Sequence, residues 1–202
     1  FAWNIFLYTG LLVVVAVYLW MMFEPRMNRF IGTAGKVAFI WRLILTTGTG
    51  SIFGVLVARE AFGSVVLIPM FIAMSLSFGT AVMLLAIILM FRLSRVSVKD
   101  EVIMRLRSLL AYFVIAVAFF VVVDHLSRLY AAGDTGVERF LLVEGGIYPA
   151  LFWAGQCLLG TVIPVIMLLT PCLAGRLPTV VASLLVLLGA FAQLYVLIVG
   201  GQ

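Results

Sequence analysis

The apolar positions of this chain do not alternate with polar ones at a strand period. They fall instead in unbroken runs close to 20 residues long. A helix rising about 1.5 Å per residue needs about 20 residues to cross a hydrocarbon layer about 30 Å thick, so each run is long enough to span a membrane. Six runs are present, at 5–23, 37–58, 63–91, 109–130, 147–169 and 180–199. The pattern predicts an all-α, polytopic transmembrane helix bundle that forms a single domain over residues 1–202. The first run stops at Glu24-Pro25-Arg26, where proline removes a backbone donor and charge ends the apolar stretch. The third run exceeds a perpendicular crossing, which implies tilt or an interfacial start.

Composition excludes the other classes. Of 202 residues, 65% are hydrophobic and 10% charged. A soluble domain is about 45–50% apolar and about 25% charged, so this chain lacks the polar residues to cover a water-facing surface. A soluble enzyme is excluded, and so are disorder and a transmembrane barrel, whose strands would show short alternating segments. Two cysteines, Cys157 and Cys172, are too few for an iron–sulfur cluster, which takes four thiolates, and read as free packing thiols. The chain begins at Phe1, which implies processing or numbering that starts inside a longer polypeptide, with no cleavable signal in view.

The net charge of +5 would suggest nucleic acid in a soluble protein. Placing each cation removes that reading. The first, third and fifth loops carry Arg26, Arg29, Lys36, Arg42, Arg92, Arg95, Lys99, Arg105, Arg107 and Arg176, ten in all; the second and fourth carry only Arg59, Arg128 and Arg139. That asymmetry predicts that the basic loops lie inside and both chain ends on the outer side of the membrane. The fourth loop is acidic, with Asp134, Glu138 and Glu144, and Trp3, Tyr8, Tyr130 and Tyr148 form a partial aromatic belt at the outer interface.

Small residues recur every four positions in the second run, at Thr46, Gly50, Gly54 and Ala58, and Ser75 and Gly79 answer at the same spacing in the third. Such a ladder lets two backbones approach closely, and the pair is expected to pack as a hairpin along it. The alternative is a loosened helix in which Thr46, Thr47, Thr49 and Ser51 bond freed carbonyls or line a wet proton path toward the inner side.

An ionisable residue inside a membrane helix costs about 2.5–3.5 kcal/mol on insertion scales, so each one needs a reason. Asp124 and His125 follow the apolar stretch 109–123, and Arg128 lies four residues beyond Asp124, on the same helix face and in pairing range. One reading is a helix-end ion pair with His125 at the interface. The other has Asp124 or His125 exchanging protons with a redox-active or transported ligand. Arg59 and Glu60 share the outer level with these residues, as do Asn4, Tyr8, Tyr148 and Gln156. A shallow apolar site with a few hydrogen-bonding groups suits a lipid-soluble quinone head. The single histidine argues against a haem held by two axial histidines, so neither metal nor haem is expected from this chain alone.

Two segments carry a family resemblance. Residues 47–85 contain the glycine-rich second helix, the short turn, the Pro69-Met70-Phe71 step and a Ser- and Gly-containing third helix. Residues 124–168 contain DHLSRLY, then Gly145-Gly146-Ile147-Tyr148-Pro149, Phe152-Trp153 and Pro164. Both resemble the NrfD/PsrC family of integral membrane subunits, found in complexes such as polysulfide reductase. The resemblance implies a quinone-interacting subunit that exchanges electrons between the quinone pool, menaquinone or ubiquinone, and a ferredoxin-like iron–sulfur subunit on the outer face, with proton translocation a further option. It also implies a bacterial or archaeal cytoplasmic membrane whose outer side is periplasmic, and N-terminal helices of the family that lie outside this sequence. Carried onto this chain, it makes Arg59, Glu60, Asp124, His125, Arg128 and Tyr130 the quinone-binding and proton-exchange set, with Arg59 stabilising negative charge on the head group. Thr46, Thr47, Thr49 and Ser51 are the candidate proton path. The competing classes are a transporter or channel fragment, which lacks the expected inverted repeat, and a purely structural membrane anchor.

Overall fold

The computed structural model describes residues 2–55, 62–94, 100–130, 135–173 and 175–201. Six helices in it are long and apolar enough to cross a membrane, and no strand occurs among the described residues. They are α1 (Ala2–Phe23), α2 (Ile31–Gly54), α3 (Leu67–Ser94), α4 (Asp100–Tyr130), α5 (Ile147–Leu169) and α6 (Arg176–Ile198). A 3-10 turn, Pro25–Phe30, leads into α2, and a short helix, Thr135–Arg139, precedes α5.

Several helices begin or end away from their apolar runs. α4 starts at Asp100 because Asp100 and Glu101 occupy its first turn, where carboxylates complement the exposed backbone N–H groups. α3 starts at Leu67 because Gly63, at φ +91°, bends the chain and donates its N–H to the Phe53 carbonyl at 3.0 Å. A side chain is disfavoured in that left-handed conformation, which glycine adopts freely.

α3, α4, α5 and α6 surround the interior, and α2 packs on α3 with α1 outside it. α1 is held by its polar backbone contacts: Trp41 donates its indole N–H to the Leu7 carbonyl at 3.0 Å, and the ring fills the notch left by Gly10. Two apolar clusters stack along the interior. One joins Met70, Met74, Val117, Val121 and Phe152; the other joins Leu84, Leu110, Val114, Leu168 and Val186.

The tightest approach is between α5 and α6. A Cβ built on Gly189 would lie 2.1 Å from the Gly160 Cα, closer than any real contact. α5 is also wound wide, with i→i+5 bonding over Leu151–Val162, and the Thr161 hydroxyl donates to the Gln156 carbonyl at 3.0 Å. Wide turns of this kind are rare and concentrate at functional sites. Here the buried side of the widened segment carries Phe152, Gln156 and Gly160.

The α2–α3 ladder is only half as the sequence suggests. Gly50 and Gly54 do meet α3, with added Cβ atoms 3.1 Å from the Ile68 Cα and 3.4 Å from the Ile68 Cγ1, and Phe53 stacks on Phe71. Ala58 lies outside the described residues. Ser75 and Gly79 do not join that contact; a Cβ on Gly79 would meet nothing within 4 Å. Contact near the turn, with bulky Ile68 and Phe71 as its α3 partners, leaves the two helices apart further along.

Arg107 also departs from its expected place in a basic loop. It lies within α4, 2% exposed, and its Nη2 donates to the Met167 and Thr170 carbonyls at 2.6 and 3.0 Å. These carbonyls end α5, where unsatisfied acceptors and the helix dipole favour a cation. Both cysteines are free thiols, Cys157 half-buried and Cys172 exposed.

Replacing Gly189 with alanine forces two backbones apart. Gly189→Ala is expected to cost about 1–3 kcal/mol or more, read as a lower unfolding temperature in detergent, whereas Gly79→Ala leaves that temperature unchanged or raises it. Equal behaviour of the two variants would refute the close α5–α6 approach.

Candidate functional site

The buried face of α4 runs through Val117, Val121, Asp124 and Arg128, so the last two residues follow an apolar stripe into the bundle. Arg128 Nη2 donates to Asp124 Oδ2 at 2.7 Å across one helical turn. A second carboxylate comes from outside the helix. Glu138, on the short helix Thr135–Arg139, is fully buried, with Oε1 3.7 Å from Arg128 Nε and Oε2 2.7 Å from His125 Nδ1. His125 lies edge-on to Phe152, with ring centroids 4.8 Å apart, and 20% of its side chain is exposed. Four ionisable groups are therefore gathered in one place. With His125 protonated their charges cancel; with it neutral one negative charge stays buried.

Glu138 was legible in the sequence only as one charge of an acidic loop. What brings it inward is the wide turn Phe140–Glu144, whose Leu141 is buried and pulls the preceding helix onto the bundle. An apolar stretch, Phe140 to Val143, just after Glu138-Arg139 was the available signal. Not every group in the cluster is satisfied: Asp124 Oδ1, Arg128 Nε and Glu138 Oε1 are buried without a hydrogen-bond partner. A cavity of about 30 Å³ adjoins Asp124 and Arg128 and is lined also by His125, Gln156, Gln193 and Met70 among others. That is the space of about one water in the liquid, ~30 Å³, and far too small for a quinone ring.

The remaining expected residues are dispersed. Tyr130, at the end of α4, is 94% exposed and lies outside the cluster. Arg59 and Glu60 lie outside the described residues. The hydroxyls of Thr46, Thr47, Thr49 and Ser51 donate to the Arg42, Leu43, Leu45 and Gly48 carbonyls of their own helix at 2.8–3.0 Å. Thr47 is exposed on the outside of α2, so the four do not form a file through the protein.

A large space does exist elsewhere. Where α2 and α3 part, a groove of about 870 Å³ opens, with apolar walls from residues such as Phe39, Phe71 and Met83. Its hydrogen-bonding groups are Tyr8, Thr46, Thr49, Ser75 and Thr80, with Arg42 toward the basic end. The volume lies within the ~300–1,000 Å³ of small-molecule sites, and the mix of apolar wall and few polar groups matches them. No group of three or more metal-ligating side chains occurs among the described residues.

The family model described as polysulphide reductase, NrfD, matches residues 1–202. This chain belongs to the NrfD family. Among curated proteins, it is 28% identical over 207 residues to the Hdr-like menaquinol oxidoreductase integral membrane subunit of Archaeoglobus fulgidus. That match covers all of this chain and 51% of the relative, so this NrfD chain spans about half the relative's length. No solved structure matches it. Family membership and six apolar helices together make it an integral, multi-pass membrane protein.

Removing the cation from this NrfD cluster would strand two buried carboxylates. Arg128→Met is expected to destabilise the bundle by about 3–5 kcal/mol, measured by thermal unfolding in detergent. Arg105→Ala, which breaks an exposed pair with Glu101, should leave the transition in place. A small effect of Arg128→Met would mean the cluster does not hold the fold.

Proposed function

We propose that this chain forms the quinone-interacting part of a membrane subunit in a redox complex, passing electrons between menaquinol in the bilayer and an iron–sulfur subunit. The observation that carries this reading is a groove large enough for a ligand between α2 and α3, in a bundle that also holds a separate buried carboxylate–imidazole cluster. The groove fits a quinone and the cluster cavity does not. The naming of the archaeal relative as a menaquinol oxidoreductase subunit supports menaquinone as the ligand.

Oxidation of a hydroquinone releases two electrons and two protons, and the residues divide that work. The Thr46, Thr49 and Thr80 hydroxyls donate to their own helices, so their oxygens, with Ser75, are left to accept from a hydroquinone O–H along the groove, and its apolar walls hold the isoprenoid tail and keep water out. The chain contains one histidine, so the electrons leave to metal centres of a partner. His125 and Glu138 hold and hand on protons at the Nδ1–Oε2 contact. The ten-to-three division of Lys and Arg supports an orientation with the cluster and both chain ends outside, and in this reading an iron–sulfur partner docks on the cluster face.

Gly79 faces the groove with free space beyond it, which permits a test that spares the fold. In the assembled complex, Gly79→Leu is expected to raise KM for a menaquinol analogue at least about tenfold with assembly intact. His125→Gln is expected to lower kcat by about 10²-fold, the lower range for general acid–base catalysis. Normal kinetics in both variants would sink this reading in favour of a structural anchor.

A further inference from the structure

Arg42 is a charge whose place the fold does not explain. Counted from the sequence with the first basic loop, it lies in the structure within α2, eleven residues after Ile31 and twelve before Gly54. At 1.5 Å per residue those are about 16 and about 18 Å, which puts it near the middle of a hydrocarbon layer about 30 Å thick. Snorkelling brings a long cationic side chain to the interface only from near a helix end, so this one stays at depth and calls for a partner. Among the described residues its guanidinium makes neither a hydrogen bond nor an ion pair. The carboxylates there are held by other cations or by His125, save Glu24 just past the end of α1.

What Arg42 does adjoin is the groove between α2 and α3, and it is the one charged residue of that lining among the described residues. Trp41 fixes how α2 is turned about its axis through its bond to the Leu7 carbonyl. Thr46 and Thr49 follow Arg42 at four and seven residues, on one face of the helix, and line the same groove. The donors and acceptors there are unequal. Thr46, Thr49 and Thr80 have given their protons to the Arg42, Leu45 and Leu76 carbonyls, so toward a ligand they can only accept. An oxidised quinone has the opposite need, since its two ring carbonyls accept and it has nothing to donate. Tyr8 and Ser75 offer neutral hydroxyls, whereas the guanidinium offers several N–H groups in a bond about twice as strong as a neutral one.

We propose that Arg42 anchors the head group in the groove. Its guanidinium donates to a ring oxygen of the oxidised quinone, or to the anionic oxygen of a hydroquinone that has lost one proton, and holds the ring near mid-span between α2 and α3. Neutral hydroquinone is held instead by the threonine oxygens, through its own O–H groups. Both oxidation states therefore find partners in one place, and the charge sets their relative affinity: it favours the oxidised and anionic forms over the neutral reduced one. This inference rests on the groove as the quinone site and adds which residue grips the head and which forms of it.

The test uses the assembled complex and menadione, a menaquinone analogue without the tail. Arg42 is exposed in this chain, so Arg42→Met is expected to leave the unfolding temperature in detergent unchanged or raised. The dissociation constant of oxidised menadione, measured by equilibrium dialysis, is expected to rise at least about tenfold in Arg42→Met, the scale of one charge-assisted hydrogen bond. That of its hydroquinone, kept anaerobic and mildly acidic so that both protons stay on, is expected to change by less than about threefold. Arg42→Lys, which keeps the charge, is expected to recover most of the affinity for the oxidised form. Unchanged binding of oxidised menadione in Arg42→Met, or an equal loss for both forms, would overturn the anchor. Loss of a co-purified phospholipid from Arg42→Met, with menadione affinity intact, would assign the charge to a lipid phosphate and overturn it too. A raised KM in Gly79→Leu alongside either result would leave the groove standing as the quinone site and remove only the role of Arg42. Normal kinetics in Gly79→Leu would remove the groove, and this inference with it.

Discussion

Two carboxylates and a guanidinium are stable inside an apolar bundle only when they are held against one another. Arg128 lies between Asp124 and Glu138, and this arrangement constrains much of what surrounds it. Removing any one partner leaves an uncompensated buried charge, so the short helix carrying Glu138 has to stay docked on α4. Docking in turn requires Leu141 to be buried and the wide turn after Arg139 to bend the chain back toward α5. His125 is drawn into the same network through Glu138, which sets its ring against Phe152. The charged cluster thus acts as the joint between α4 and the start of α5.

Glycine is used in two opposite ways elsewhere. At Gly160 and Gly189 the missing side chains let two backbones touch, which closes the α5–α6 side and brings Gln156 and Gln193 together. At Gly50 and Gly54 the same device pins α2 to the start of α3. Gly79 touches nothing, and there the absence of a side chain leaves room. Past the contacts at Gly50 and Gly54 the groove opens between α2 and α3. Membrane helices gain no hydrophobic driving force from touching one another, so contact forms only where shape permits it.

The legibility of these features in the sequence follows from how local each one is. The six spans and their apolar character were visible because a membrane requires about 20 consecutive apolar residues. The Asp124–Arg128 pair was visible because four residues make one helical turn. Glu138 was not, since it reaches Arg128 through a loop and a fold-back whose geometry no spacing rule encodes. Thr46, Thr47, Thr49 and Ser51 looked like a polar track, yet each hydroxyl satisfies its own helix, the locally available partner. Tyr130 shared a membrane level with the cluster, but level along a helix does not specify direction around it, and it points outward. The expected partner face of Ser75 and Gly79 failed for a similar reason: matching periods allow two ladders to meet without choosing the register at which they do.

Taken alone, the sequence determined the class of the protein, its six crossings, the asymmetry of its loops and its family. These properties depend on composition and on patterns within one helix, and the bilayer enforces them on each segment separately. Only the tertiary structure decided which polar groups meet. It brought Glu138 to His125 and Arg128, set Gln156 and Gln193 around the same small cavities, moved Arg107 from a loop into the bundle, and left the ligand-sized space separate from the charges. Such meetings are set by crossing points between helices, and those points are fixed by close packing among residues far apart in the chain.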